Sequence, residues 1–250
     1  MCFHTNIKER VEKLEKKFKV ELPQQPLRDL FNTPQYHLNG FAHPNMLVIP
    51  QEFPKLLVPG VWGIVPENKA STQIKDYHKS AVSYGGGLNA RSEKLFDHFI
   101  YKNSALTRRC IIPISGFFEP HEHNKKKYPF YILRADNEPM ALAGLYTVIG
   151  NFVTFSILTK NASPLLEQVH NAKKRQPVIL QDEQIALWLS NQLAAIDVQK
   201  IIDAQFPDQD LKAYTVSKTL FSPKADSNIP SITLQKRSVQ QFNQGGLVQY

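Results

Sequence analysis

Hydrophobic positions near the start of the chain follow a helical period. One set recurs at spacings of four, three and four residues, with Lys and Glu between its members: Ile7, Val11, Leu14 and Phe18. Such spacing is typical of one face of an amphipathic helix, and it predicts a helix over residues 6–20. Residues 22–44 contain several Pro and Asn and are expected to be irregular.

Further along, short runs rich in β-branched and aromatic residues indicate strands. The predicted strands are residues 45–50, 56–65, 128–133, 141–149, 152–158, 177–180 and 214–216. Gly150 and Asn151 separate two of these runs and predict a hairpin turn. Shorter stretches predict four further helices. One ends near Tyr101, and the others cover residues 165–170, 182–190 and 194–204. The polar residues 66–87 and the charged residues 121–127 are expected to form a loop and a turn.

These elements predict the fold class. Neither a repeat nor a linker divides the chain, and strands of both halves are expected in one mixed sheet system. We therefore predict a single α+β domain, with mixed, mostly antiparallel sheets in a barrel-like core flanked by helices. Residues 1–220 are assigned to this domain and residues 221–250 to a polar C-terminal tail, whose final Gln-rich stretch is expected to be frayed.

Composition and charge narrow the class of protein. The 250 residues are 42% hydrophobic and 21% charged, which is ordinary for a globular protein. The formal net charge of +8 favours a polyanionic partner such as nucleic acid, although many basic proteins bind none. Two cysteines argue against a disulfide framework, and we expect a reducing compartment. Neither a signal peptide nor an apolar run of membrane-spanning length is evident, so a cytoplasmic protein without a membrane partner is expected.

Cys2 follows Met1 directly, and this position can give it an unusual reactivity. If Met1 is removed, one residue carries an α-amine and a thiol on adjacent carbons. The amine can condense with an aldehyde, and the thiol can then close on the imine carbon to form a thiazolidine ring. Most nucleophilic side chains form covalent intermediates through one atom, whereas this group can trap a carbonyl with two.

Several polar residues lie within apolar surroundings, where burial without a partner is costly. Glu119 follows Gly-Phe-Phe, and burial would raise its pKa toward a value suited to proton transfer; a surface glutamate at a strand end is the alternative. His170 ends a short amphipathic stretch and is either structural or catalytic. Asn89 and Arg91 could bind a sugar oxygen and a phosphate, or could cap a turn.

The same residues belong to a series of short motifs in a characteristic order. The series comprises Met1-Cys2, Trp62-Gly63, residues 89–93 (Asn-Ala-Arg-Ser-Glu), 109–113 (Arg-Cys-Ile-Ile-Pro), 116–119 (Gly-Phe-Phe-Glu), 157–162 (Ile-Leu-Thr-Lys-Asn-Ala), Val169-His170 and 175–180 (Arg-Gln-Pro-Val-Ile-Leu). Over roughly residues 1–216 the chain resembles the SRAP family, the SOS-response-associated peptidases or abasic-site-processing proteins.

The resemblance implies a substrate and a reaction. Family members act on abasic sites in single-stranded DNA, and Cys2, freed by autocatalytic removal of Met1, captures the open aldehyde in a thiazolidine crosslink, with AP-lyase activity as a further outcome. By match to the motifs, Glu119 would deprotonate the Cys2 amine and steer Met1 removal. His170 would assist ring opening and proton transfer, and Asn89 would hold the sugar and the N-terminal residue.

The resemblance also implies DNA contacts. Arg91 would grip a phosphate, Trp62 would line the DNA groove, and Ser92, Lys160 and Arg175 lie in matching segments and are assigned to DNA binding. A cytoplasmic, nucleoid-associated monomer without a cofactor or metal is expected, since no zinc-like spacing occurs.

The chain also departs from the family pattern. Members usually begin Met-Cys-Gly-Arg, whereas Phe3 and His4 follow Cys2 here, and residues 172–174 lengthen the spacing between His170 and Arg175. Two other classes of function remain open. One is a cysteine amidohydrolase in which the Cys2 amine acts as base for its own thiol. The other is a non-covalent single-strand-binding module that makes no use of Cys2.

Overall fold

The computed structural model describes residues 2–236 as an α+β domain. Seven α-helices occur in this part of the chain: α1 (Val11–Phe18), α2 (Gln25–Phe31), α3 (Ile74–Ala81), α4 (Tyr101–Thr107), α5 (Pro164–Val169), α6 (Gln184–Trp188) and α7 (Ala195–Asp203). The first strands are β1 (His4–Ile7), β2 (Gln35–Asn39), β3 (Asn45–Pro50), β4 (Val58–Trp62), β5 (Asn89–Arg91), β6 (Arg109–Ile114) and β7 (Gly116–His123). The remaining strands are β8 (Lys126–Arg134), β9 (Met140–Ile149), β10 (Phe152–Asn161), β11 (Arg175–Pro177), β12 (Ile179–Leu180) and β13 (Leu211–Thr215).

One of the two sheets closes on itself. In the eight-stranded sheet, β10, β4, β3, β6 and β9 pair in that order, and β9 pairs with β10 again. These five strands form a closed barrel, in which the β4–β10 pair is parallel and the other pairs are antiparallel. The α+β class and the barrel-like core predicted from the sequence are therefore confirmed.

The second sheet has five strands, in the order β13-β8-β7-β1-β2. Side chains on successive residues of a strand point to opposite faces. Phe117 accordingly packs into an apolar cluster between the two sheets, which also contains Cys2 and Val169. Phe118 packs on the opposite face with Tyr131. This alternation places Glu119 on the same face as Phe117, toward the interior.

Several sequence predictions near the N-terminus need correction. The helix expected over residues 6–20 is shorter, since residues 4–7 form β1, paired on both sides with β2 and β7. Backbone pairing to two neighbours outweighs the weak helical preference of these residues. Residues 22–44, expected to be irregular, contain α2 and β2, and the expected loop at residues 66–87 contains α3.

A segment that we call the C-terminal strap, residues 217–236, covers the outer face of the five-stranded sheet. Leu220 and Ile232 are buried in the cluster with Phe118. The Asn228 side-chain oxygen accepts hydrogen bonds from the backbone of β2, and the backbone N–H of Lys236 donates to β13. The strap thus protects both edge strands from further pairing.

The division of the chain at residue 220 stays a prediction. The final Gln-rich stretch lies outside the described residues. Among residues 2–236, none of the helices has the length and apolar composition needed to cross a bilayer.

The strap should contribute measurably to stability. Ile232 is 1% exposed, and its truncation leaves a cavity against Phe118 and Tyr131. We expect Ile232→Ala to lower the free energy of unfolding by about 2–4 kcal/mol in urea titration. Leu234→Ala is the matched control, because Leu234 is 60% exposed and its truncation should cost less than about 0.5 kcal/mol. Equal effects of the two substitutions would show that the strap does not pack as described.

Candidate active site

Strand β1 carries the N-terminal residues alongside the first half of β7. His4 pairs with Phe118 and Thr5 with Phe117 in an antiparallel register, so the chain before His4 runs toward Glu119. Cys2 is fully buried in the cluster between the sheets. Burial raises the pKa of its thiol well above the ordinary value, and the nearby charge of Glu119 raises it further. Cys2 and Glu119 are therefore within electrostatic reach of each other.

Glu119 is the fourth of the eight residues of β7 and lies opposite Phe130 of β8. It is 2% exposed, because its face of the strand packs against the interior of the domain. Burial disfavours the charged form of a carboxyl group and raises the pKa of Glu119 to about 7. The side chain can therefore exchange a proton near neutral pH, as predicted from its apolar surroundings.

His170 caps the C-terminal end of α5. This helix begins at Pro164, after Ser163, whose side chain accepts a hydrogen bond from a backbone N–H of the first turn. The helix is docked on β7 at its other end: His121 Nδ1 lies 2.9 Å from the carbonyl oxygen of Gln168. The Asn171 side chain also binds the backbone of Glu122 reciprocally, at 2.9 and 2.8 Å. These contacts fix His170 beside Glu119.

The two side chains form a buried pair. His170 Nδ1 lies 3.2 Å from Glu119 Oε2 and 3.0 Å from the carbonyl oxygen of Arg175. Because both neighbours are oxygens and the carbonyl can only accept, we assign the imidazole proton to Nδ1, which leaves the lone pair on Nε2. Burial lowers the pKa of His170 to about 4, so the imidazole is neutral near pH 7.

Asn89 supplies a different kind of signal. It begins β5, which pairs in parallel with β10 so that Asn89 lies opposite Ile157. Both polar atoms of its side chain are buried, and neither has a hydrogen-bond partner within residues 2–236. An unsatisfied buried amide costs roughly 1–3 kcal/mol. A buried polar group without a partner is often one that binds a ligand.

Two of the predicted DNA-binding residues are used inside the protein. Trp62 is wholly buried in the core, and its indole N–H donates to the carbonyl oxygen of Leu88 at 2.9 Å. A ring in this position has no face to offer a base. Lys160 is 6% exposed, and its ammonium group donates to the carbonyl oxygens of Ile202 and Ala204 at 2.8 and 2.6 Å. Lys160 therefore holds the end of α7 against β10.

The other three differ in their accessibility. Arg175 is 4% exposed and forms an ion pair with Glu93, with a further hydrogen bond to the Thr159 carbonyl oxygen at 2.8 Å. Ser92 is 7% exposed and its hydroxyl donates to Glu93 at 3.4 Å. Arg91 is exposed. Of the residues assigned to DNA from the sequence, Arg91 is the one with a side chain open to solvent.

The docking residues His121 and Asn171 escaped the sequence analysis. Residues 121–127 were expected to form a turn, whereas β7 continues to His123 and the turn is confined to residues 124–125. The alternation of side chains along a strand would have placed Glu119 and His121 on one face. Within the described part of the chain, three or more His, Cys, Asp or Glu side chains never gather as a metal site would require.

The raised pKa of Glu119 predicts that this side chain lowers the stability of the folded protein in a pH-dependent way. Above pH 4.5 the unfolded chain loses the proton that the folded protein keeps until about pH 7, so stability falls over this range. Glu119→Gln removes the cost. Relative to wild type, its stability should rise by about 2 kcal/mol between pH 5 and pH 8, measured by urea unfolding. Glu122→Gln, exposed on the same strand, is the control and should show little change. A pH-independent effect of Glu119→Gln would contradict the burial of an ionisable group.

Comparison with known proteins identifies the family of this chain. The SRAP family (SOS response associated peptidase) matches residues 1–223. The abasic site processing protein YoqW of Bacillus subtilis is 31% identical over 212 residues, covering 79% of this chain and 89% of that protein. The abasic site processing protein YedK of Escherichia coli is 27% identical over 118 residues, covering 46% of this chain and 52% of that protein.

A solved structure supports the fold. A crystal structure of a protein from Bacteroides thetaiotaomicron superimposes with a TM-score of 0.82 at 24% identity, covering 94% of this chain and all of that one. The family match extends over nearly the whole of the described chain, and the predicted resemblance is confirmed. The protein belongs to the SRAP family.

Proposed function

We propose that this protein processes abasic sites in single-stranded DNA by forming a covalent crosslink through Cys2. Two relatives are named abasic site processing proteins, and they match this chain over most or about half of their length. The observation that carries the proposal is the buried Glu119–His170 pair within electrostatic reach of Cys2. A carboxyl with a pKa near 7, a neutral imidazole and a cysteine together suit capture of a carbonyl group.

The first step is hydrolysis of the peptide bond between Met1 and Cys2. One water is consumed, free methionine leaves, and Cys2 gains an α-amine. Glu119 is the group we assign to proton transfer in this step, because its pKa of about 7 allows it to accept and return a proton at neutral pH.

The second step captures the sugar. The open form of an abasic site carries an aldehyde, and the Cys2 amine adds to its carbon and expels water to give an imine. The thiol then adds to the imine carbon while its proton passes to the imine nitrogen, which closes the thiazolidine ring. Because burial and Glu119 keep the thiol protonated, ring closure needs a base, and Glu119 or neutral His170 can serve.

Asn89 and His170 are assigned to the sugar. The unpaired amide of Asn89 would gain partners from a sugar hydroxyl and from the freed N-terminal residue. His170 would take the hydroxyl proton when the sugar ring opens. The same imine permits AP-lyase chemistry: a base removes the proton from the carbon beside the imine carbon, and the 3′ phosphate leaves. Closure by the thiol competes with this elimination.

Cys2 allows a direct test of the covalent step. Wild-type protein mixed with single-stranded DNA bearing one abasic site should give a denaturation-resistant band shift on a gel. Cys2→Ala should abolish the shift, because without the thiol the imine cannot close to a thiazolidine ring. Cys110→Ala is the matched control, since Cys110 is the other fully buried cysteine and lies in the same apolar cluster.

The outcomes separate the alternatives. A Cys2→Ala protein that shifts as well as wild type would exclude the thiazolidine mechanism. DNA binding without a covalent product in wild type would favour the non-covalent module. Release of a small amine or acid from amide substrates without an adduct would favour the amidohydrolase.

Met1 removal tests the role of Glu119. Intact-mass spectrometry should show slower loss of Met1 in Glu119→Gln, by roughly 100-fold or more, as expected for removal of a general acid–base group. In wild type the rate should rise with pH up to about 7, since the carboxylate form is the base, and then level off. Glu122→Gln is the control on the same strand. Complete processing of Glu119→Gln at the wild-type rate would contradict this role.

A further inference from the structure

An aromatic pair lies next to Cys2. Phe3 follows Cys2 in the chain, and its ring contacts the ring of Phe41, with centroids 4.8 Å apart and planes inclined by 33°. Phe3 is partly buried and packs against the apolar cluster that contains Cys2. Phe41 is 45% exposed. The pair therefore extends from the buried cysteine to the surface of the domain.

The turn after β2 holds the two rings together. The backbone N–H of Gly40 donates to the carbonyl oxygen of Phe3 at 2.8 Å. The backbone N–H of Phe41 donates to the side-chain oxygen of Asn39 at 3.1 Å. Because both hydrogen bonds fix backbone atoms next to the rings, the pair is formed before any ligand binds.

The same turn packs against the segment that carries Asn89. A Cβ atom at Gly40 would lie 3.2 Å from the Trp62 ring and 3.3 Å from the Leu88 side chain, so the backbone of the turn approaches both closely. Leu88 directly precedes Asn89, and Leu88 belongs to the same buried cluster as Cys2. The turn, the cysteine and Asn89 therefore surround one region of the domain.

His4 is turned away from this region. Its Nδ1 lies 2.9 Å from His37 Nε2, and its ring contacts Phe221 of the C-terminal strap with centroids 5.3 Å apart. Burial lowers the pKa of His4 to about 3, so the imidazole is uncharged near neutral pH. Family members usually carry Gly-Arg where this chain has Phe3 and His4. Beside Cys2 this chain thus presents aromatic surface in place of a positive charge.

We propose that Phe3 and Phe41 form an aromatic step on which a base adjacent to the abasic site stacks. This inference rests on the proposed function, which brings the reacting sugar to Cys2. An abasic nucleotide has lost its base, so each neighbouring base lacks a stacking partner on that side. An aromatic side chain can replace the missing partner, and it accepts any base because every base has a π-face.

The test measures non-covalent binding to two fluorescent single-stranded oligonucleotides. The first has a central tetrahydrofuran residue, an abasic analogue without an aldehyde, and in the second both neighbouring bases are also replaced by tetrahydrofuran. In fluorescence anisotropy, Phe41→Ala should bind the first probe about fivefold or more weakly than wild type, as expected for loss of one stacked base. Wild type should lose a similar factor on the second probe, whereas Phe41→Ala should lose little more, because the ring and the base are partners.

Controls separate stacking from other effects. Phe99 is 69% exposed, and its neighbours Ile100 and Tyr101 pack against or within the other large core cluster. Phe99→Ala should therefore bind both probes as wild type does. Phe41→Tyr keeps an aromatic ring and should retain the affinity. The slope of log K against log salt should be unchanged in Phe41→Ala, because the lost contact involves no phosphate.

Independent effects of the Phe41→Ala and base changes would overturn the aromatic step, as would an equal loss of affinity in Phe99→Ala. The covalent reaction is read separately with a true abasic oligonucleotide. A normal wild-type crosslink together with independent effects rejects the step and leaves the proposed function standing. Coupled effects in the absence of any wild-type crosslink support the step and reject the covalent mechanism.

Discussion

The contact between Glu119 and His170 is the constraint on which the site depends. A strand and the cap of a helix, far apart in sequence, each present one titratable group to the same buried interior, 3.2 Å apart. Burial opposes charge on both, so near pH 7 the imidazole is neutral and the carboxyl exchanges its proton. The docking of α5 on β7 through His121 and Asn171 keeps this pair together.

The rest of the fold brings Cys2 to this pair. β1 is an interior strand of its sheet, hydrogen-bonded to β7 and β2, so Cys2 and Phe3, which precede it, are held in position. The C-terminal strap covers the opposite face of the same sheet and completes its packing. The strap therefore supports the sheet that contains β1.

Much of the architecture could be predicted from the sequence, because apolar strand runs such as residues 141–149 and 152–158 are strong local signals. The short strand β1 could not be predicted, because its structure is determined by the strands it pairs with. Its own residues also fit a helical pattern. The same limit applies to the site. Arg175 and Lys160 lie in apolar runs of the sequence, and both DNA-binding residues and buried structural residues can occur in such runs. Only the fold shows that Glu93 and the carbonyls at the end of α7 already occupy them. Cys2, Glu119 and His170, grouped by the family resemblance, do lie together, while their roles stay predictions.

The protonation of Glu119 can be observed directly. Carbon-13 NMR of the side-chain carboxyl, assigned by comparison with Glu119→Gln, follows its titration in the folded protein. The account predicts a midpoint near pH 7, caused by burial beside a neutral imidazole. A midpoint at or below about 4.3, the value of a glutamate in a model peptide, would show that the carboxyl is solvated or ion-paired and would contradict the account.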